Sequence, residues 1–272
     1  MKKQLLISAG MSAILALAMT QPAQAMPTTI TDTYWGGDSH GDTNDVMGSA
    51  SVFGITSMDV ERMGDTLKVS INTNFAGKGD DGYFDGTSGL GTDLTRGLGI
   101  GYGDLFLSGA WNPDPDGTGT APEYKTDNHS NGTIWTYGFS LEDHWMNEAD
   151  AGAGTLYSLD SGNNNADALL TEDFLTGGTF RNGQEVAVDT ANGDVDAVAG
   201  NTSSWDITTG SINFYIDLAG TDLLYSDTFA LHWGMTCGND TIEGEYSVSE
   251  PAILGLLARG LIGIGASKRK DA

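Results

Sequence analysis

Apolar and polar residues alternate with a period of two over several stretches of the chain, which predicts strands with one buried and one wet face. Leu67, Val69, Ile71 and Thr73 alternate with Lys68, Ser70, Asn72 and Asn74. The β-branched-rich run from Ser51 to Val60 precedes this stretch across Arg62-Met63-Gly64-Asp65, so the two runs read as an antiparallel hairpin. Ile212, Phe214, Ile216 and Leu218 recur at every second position in a further strand. The runs Thr228 to Met235 and Thr241 to Val248 flank the turn signal Cys237-Gly238-Asn239-Asp240 and predict a last hairpin. Glu243, Glu245 and Ser247 form one polar face of its second strand. Ile134 to Leu141 reads as an aromatic strand. Leu98 to Leu107 is rich in Gly at its start, a pattern that predicts close approach by another backbone or side chain.

Long polar stretches separate these runs: Lys78 to Arg96, Trp111 to Asn131 and Asn147 to Ala168. Only Ala166 to Leu175 has an approximate helical spacing, through Asp167, Leu169, Leu170 and Phe174. Many short strands joined by Gly- and Asp-rich loops predict an all-β fold, a β-sandwich or jelly-roll.

The two ends follow different rules. Met1-Lys2-Lys3, an uncharged apolar run from Leu5 to Met19, and Ala23-Gln24-Ala25 form a signal-peptide pattern over residues 1–25. Cleavage between Ala25 and Met26 is expected, after passage through the Sec translocon and by signal peptidase. Residues 248–272 combine Ser249-Glu250-Pro251, an apolar segment from Ala252 to Ala266 expected to be helical, and the basic cluster Lys268, Arg269 and Lys270. The apolar segment has 15 residues with Arg259 near its middle, whereas a lasting span needs about 20 apolar residues. It suits transient insertion, with the basic end held on the cytoplasmic side. Residues 26–247 are left as the folded domain.

Removing the ends sharpens the charge. The full chain carries a formal −25 from 12 basic and 37 acidic residues. Six of the basic residues but only Glu250 and Asp271 of the acidic ones lie in the end segments, so the remainder holds 6 against 35 and is near −29. Such a surface repels phosphate and argues against nucleic acid as a partner. It suits solubility, cation binding or display in a charged matrix. Cys237 is the only cysteine, so stability rests on the hydrophobic core without an intramolecular disulfide.

The C-terminal segment resembles the PEP-CTERM sorting signal of bacterial proteins cleaved by the membrane enzyme exosortase. Glu250-Pro251, the apolar run and the basic terminus match, while Ser249 stands where the family usually has Pro. The segments Trp35 to Asp42, Gly99 to Leu107 and His232 to Asp240 resemble exosortase-sorted surface proteins. The resemblance implies export, exosortase as a partner, a cell-surface or biofilm-matrix location and an exopolysaccharide-producing host; it implies no reaction.

Candidate chemistry in the middle is sparse. Asp38, Asp42 and Asp45 in one acidic loop, and Asp114 and Asp116 in another, offer oxygen ligands suited to Ca²⁺. Trp111 and Trp145 are candidate platforms for a sugar face. His232 and Cys237 lie five apart on a strand entering a turn, so their side chains face opposite sides. No nucleophile elbow, phosphate loop or zinc-protease motif occurs. The expectation is a non-catalytic surface or matrix protein that binds polysaccharide, calcium or both. The alternative is an extracellular polysaccharide hydrolase or lyase using loop carboxylates.

Overall fold

The computed structural model describes residues 27–33, 45–78, 100–113, 124, 127–144, 152–171, 181 and 183–248. Thirteen strands run through these residues: β1 Thr28–Thr31, β2 Ile55–Met63, β3 Thr66–Thr73, β4 Leu105–Ser108, β5 Tyr137–Leu141, β6 Gly154–Leu159, β7 Leu169–Thr171, β8 Glu185–Val188, β9 Val195–Ala197, β10 Ser204–Thr208, β11 Ser211–Asp217, β12 Thr228–Gly234 and β13 Thr241–Ser247. They pair in the orders β1-β2-β3-β11-β10 and β13-β12-β4-β5-β6-β9, with β7-β8 as a separate ribbon. All named pairs are antiparallel. The two large sheets share one hydrophobic core, so the fold is an all-β sandwich.

Alternation decides what each face meets. Along β3, Leu67, Val69, Ile71 and Thr73 are buried and their neighbours half-buried. Val69 lies opposite Val60 on β2 and Phe214 on β11. Ile212, Phe214, Ile216 and Leu218 are all sealed from solvent. From the second sheet, Leu105 and Leu107 of β4 and Phe229, Leu231 and Trp233 of β12 enter the same core. Phe139 meets Phe214 edge-on at 6.2 Å, which ties one sheet to the other.

The second sheet is covered on its other face as well. Phe106 of β4 and Ala230 of β12 point away from the main core and join Trp135, Leu159, Ala168, Leu169 and Val188 in a smaller one. The β7-β8 ribbon contributes Leu169 and Val188, and β8 packs on β5 and β12. His232 of β12 and Glu243 of β13 on this outer face are therefore buried, whereas Glu245 and Ser247 farther along β13 are exposed. This second layer is what the amphipathic pattern of single strands does not display.

The predicted hairpins form, with local differences. The strand expected from Ser51 starts at Ile55, because Ala50–Phe53 curl into one helical turn that buries Val52 and Phe53. Phe53 thereby reaches Phe75, 6.0 Å away. The helix expected over residues 166–175 is a 3₁₀ turn at Ala166–Ala168 followed by β7. Pairing of Leu169 with Val188 and Leu170 with Ala187 outweighs the weak helical spacing. The Gly-rich run before β4 is shorter as a strand than expected, but the close approach is present. A Cβ on Gly103 would stand 2.3 Å from the Gly234 carbonyl oxygen and 2.8 Å from that of Val186. No helix among the described residues is long and apolar enough to cross a membrane.

Candidate cation centres on the last hairpin

The turn between β12 and β13 anchors an acidic cluster. Asp32 follows β1, Asp45 precedes the helical turn, and Asp240 ends the hairpin turn; one carboxylate oxygen from each lies within 4.8 Å of the others. Backbone contacts hold the pieces together. Met47 N–H donates to the Asn239 carbonyl over 2.7 Å, and Arg181 N–H donates to that of Cys237 over 3.3 Å. The Arg181 guanidinium also donates to the backbone carbonyl of Asp45. Asp240 is fully buried. Its Oδ2 accepts from Ile55 N–H at 2.6 Å and its Oδ1 from Thr241 N–H at 3.0 Å.

These carboxylates are held in an environment hostile to bare negative charge. Burial raises the Asp45 pKa, with Arg181 opposing. Burial raises that of Asp240 well above the ordinary carboxylate range and Asp45 pushes it further, against the Ile55 hydrogen bond and Arg181. The Arg181 guanidinium is the cation that partly offsets these shifts, acting on both Asp45 and Asp240. Asp45 Oδ1, Asn239 Oδ1 and Thr241 Oγ1 are buried without a hydrogen-bond partner among the described residues. Converging carboxylate oxygens are the kind of ligand that a hard divalent cation takes.

A second group of ionisable side chains lies on the covered outer face of the same hairpin. The register pairs His232 of β12 with Glu243 of β13 on one side and Phe106 of β4 on the other. His232 Nδ1 stands 3.1 Å from Glu243 Oε2 and 3.7 Å from Glu185 Oε1. Its Nε2 lies 3.0 Å from the Glu185 carbonyl oxygen. Glu243 Oε1 accepts from Trp111 Nε1–H at 2.7 Å and from the Thr133 hydroxyl at 3.0 Å, while Trp135 Nε1–H donates to Glu185 Oε1. Burial works against charge on His232, but Glu185 and Glu243 prevail and carry its pKa to about 9. Burial raises the pKa of Glu185. Glu185 and Glu243 are only 3% and 4% exposed, too enclosed to reach a polymer in solution.

Of the residues singled out in the sequence, Asp45 joins the acidic cluster, together with Asp32 and Asp240. Trp111 is half-buried, packed edge-on against Tyr124 at 5.4 Å, with its indole N–H committed to Glu243. Asp38, Asp42, Asp114, Asp116 and Trp145 lie outside the described residues, as do Ala25, Met26, Ser249, Glu250, Pro251, Lys268, Arg269 and Lys270. Trp135 and Trp233 are core residues, as strand aromatics are expected to be. The sequence did not single out Glu185, or Glu243 as more than a polar strand position. Its hairpin register, fixed by the turn, was the available signal that sets Glu243 opposite His232.

Cys237 takes part in neither group as a nucleophile. It is fully buried, and burial pushes its thiol up to about 12, Asp240 adding to the rise. A thiol so placed is unreactive. A thiol-specific reagent at pH 8 is expected to leave the native chain unlabelled and to label one site once denaturant is added; prompt native labelling would contradict this packing.

Comparison with known proteins finds no matching family model, no matching curated protein and no matching solved structure.

Proposed function

We infer that this chain is an exported, non-catalytic surface or extracellular-matrix protein whose sandwich is organised by a divalent cation, calcium, where Asp32, Asp45 and Asp240 meet. The observation that carries the reading is the convergence of three carboxylates from segments about two hundred residues apart in sequence on one point. A cation there closes the start of the domain onto its last hairpin. Ca²⁺ accepts irregular shells of six to eight oxygens, of which the three converging carboxylates supply part. The strongly acidic mature segment agrees with an environment rich in cations and poor in phosphate polymers.

The end segments support the location. Signal peptidase and the Sec translocon act on residues 1–25 and exosortase on the segment beginning at Ser249. Exopolysaccharide is the surrounding polymer and a candidate ligand. Intact-mass analysis of the protein recovered from the cell surface or medium is expected to show a chain that starts at Met26 and lacks the apolar C-terminal segment. Recovery of the full 28.5 kDa chain would contradict the export reading. The cation reading is tested by calcium-dependent unfolding.

A further inference from the structure

The outer face of β12 and β13 carries a set of groups that the calcium reading does not use. The geometry points to a second metal site, for a divalent d-block ion of the zinc class, held by His232 Nδ1 and the carboxylates of Glu185 and Glu243. One ligand atom from each lies within 4.8 Å of the others. Ligands about 2.0–2.2 Å from a tetrahedral ion stand roughly 3.3–3.6 Å apart. The two distances from His232 Nδ1, 3.1 Å to Glu243 and 3.7 Å to Glu185, bracket that separation.

The surrounding contacts aim these atoms. His232 Nε2–H donates to the Glu185 carbonyl at 3.0 Å, which turns Nδ1 toward the two carboxylates. A metal-bound imidazole is commonly steadied in this way through its other nitrogen. On Glu243, the Trp111 and Thr133 donors both bind Oε1. Oε2, the oxygen facing His232, is the one left for a metal. On Glu185, Trp135 Nε1–H donates to Oε1, the same oxygen that lies 3.7 Å from His232 Nδ1, and so fixes its position while sharing it. Phe106 and Trp135 pack beside the imidazole, their ring centres 6.1 and 5.8 Å from it, so the ligands are preformed within a dry wall.

Two carboxylates, a neutral imidazole and a divalent cation sum to zero. Loading releases the Nδ1 proton to solvent and forms the nitrogen–metal bond in its place, with no redox change. The imidazole distinguishes the preference of this site from the all-oxygen cluster at Asp240: nitrogen suits zinc-class ions, oxygen alone suits calcium.

The test uses the untagged exported protein, stripped with chelator. Zn²⁺ is added at one equivalent and retention is measured after gel filtration, and Co²⁺ is used to give a visible spectrum of the coordination shell. The expected result is one retained Zn²⁺ per chain and visible Co²⁺ bands. Glu243→Gln is expected to weaken retention by at least roughly tenfold, a loss seen even for outer partners of metal ligands. Asp45→Asn, which disables the calcium cluster, should leave zinc retention unchanged. Nitrogen NMR of histidine-labelled wild type adds a readout independent of variant folding, with the His232 Nδ1 resonance shifting on zinc addition. The proposal is overturned if wild type retains no zinc at micromolar concentration, if Glu243→Gln retains it equally, or if His232 Nδ1 does not respond.

Discussion

Calcium is expected to raise the unfolding temperature of the mature chain by roughly 5–10 °C, and Asp45→Asn to remove most of that gain. A ligand that binds only the folded state stabilises it by about 2.7 kcal/mol when present at a hundred times its dissociation constant. In a domain of this size each kcal/mol moves the midpoint by about 2–4 °C. The gain arises because the ion neutralises carboxylates that the fold has already brought together at a desolvation cost. The same geometry predicts a reversal without calcium. In chelator, Asp45→Asn is expected to match or exceed wild type, since it removes repulsion between Asp45 and Asp240. The pH response follows in sign. Both carboxyls have folded pKa values raised above the unfolded ones. Their contribution is therefore fully favourable below the ordinary carboxylate range and is lost as pH rises through the folded values. The calcium-free chain should accordingly gain stability from these two groups as pH falls from neutrality, and calcium should flatten that dependence. Equal midpoints in calcium and chelator would return the cluster to a purely structural role.

Asp104→Ala is expected to cost about 3–5 kcal/mol, the range for removing one partner from a buried charged network. Asp104 is sealed from solvent at the head of β4. Its Oδ1 accepts from Leu141 N–H at 2.9 Å and its Oδ2 from Val188 N–H at 2.8 Å. His144 Nε2 lies 3.7 Å from Oδ1, and His144 Nδ1 is 2.6 Å from the Tyr102 carbonyl oxygen. One carboxylate thus fastens the end of β5 and the end of β8 to the start of β4. Alanine leaves two buried N–H groups without these acceptors, each costing about 1–3 kcal/mol. Asparagine keeps one acceptor but turns an amide toward the other N–H, so Asp104→Asn should recover only part of the loss. Urea unfolding followed by tryptophan fluorescence measures both variants. A loss under about 1 kcal/mol for Asp104→Ala would show that these strands are held by apolar packing alone.

The sandwich was readable because its two-residue period is local. Leu67 to Thr73 and Ile212 to Leu218 announce which side faces the core, and the turns at Gly64 and Gly238, both with positive φ, announce the reversals. The centres were less readable because they are assembled across the chain. Asp45 was identifiable as one acid in an acidic loop, but its partners Asp32 and Asp240 lie on other elements, and contacts remote in sequence, such as Met47 on Asn239 and Arg181 on Asp45 and Cys237, bring them together. Glu243 reads as a wet strand residue because the ribbon β7-β8 and Trp111, which cover that face, are remote in sequence. Glu185 begins a short strand whose partner was expected to be helical, so its position opposite the hairpin had no local signature.

Calcium binding at the Asp32, Asp45 and Asp240 cluster is tested most directly by equilibrium dialysis of the chelator-treated mature chain, beside Asp45→Asn and Asp240→Asn. The wild-type chain is expected to bind at least one calcium ion and each variant one fewer. Wild type that binds none at millimolar calcium, or variants that bind as many ions as wild type, would contradict it.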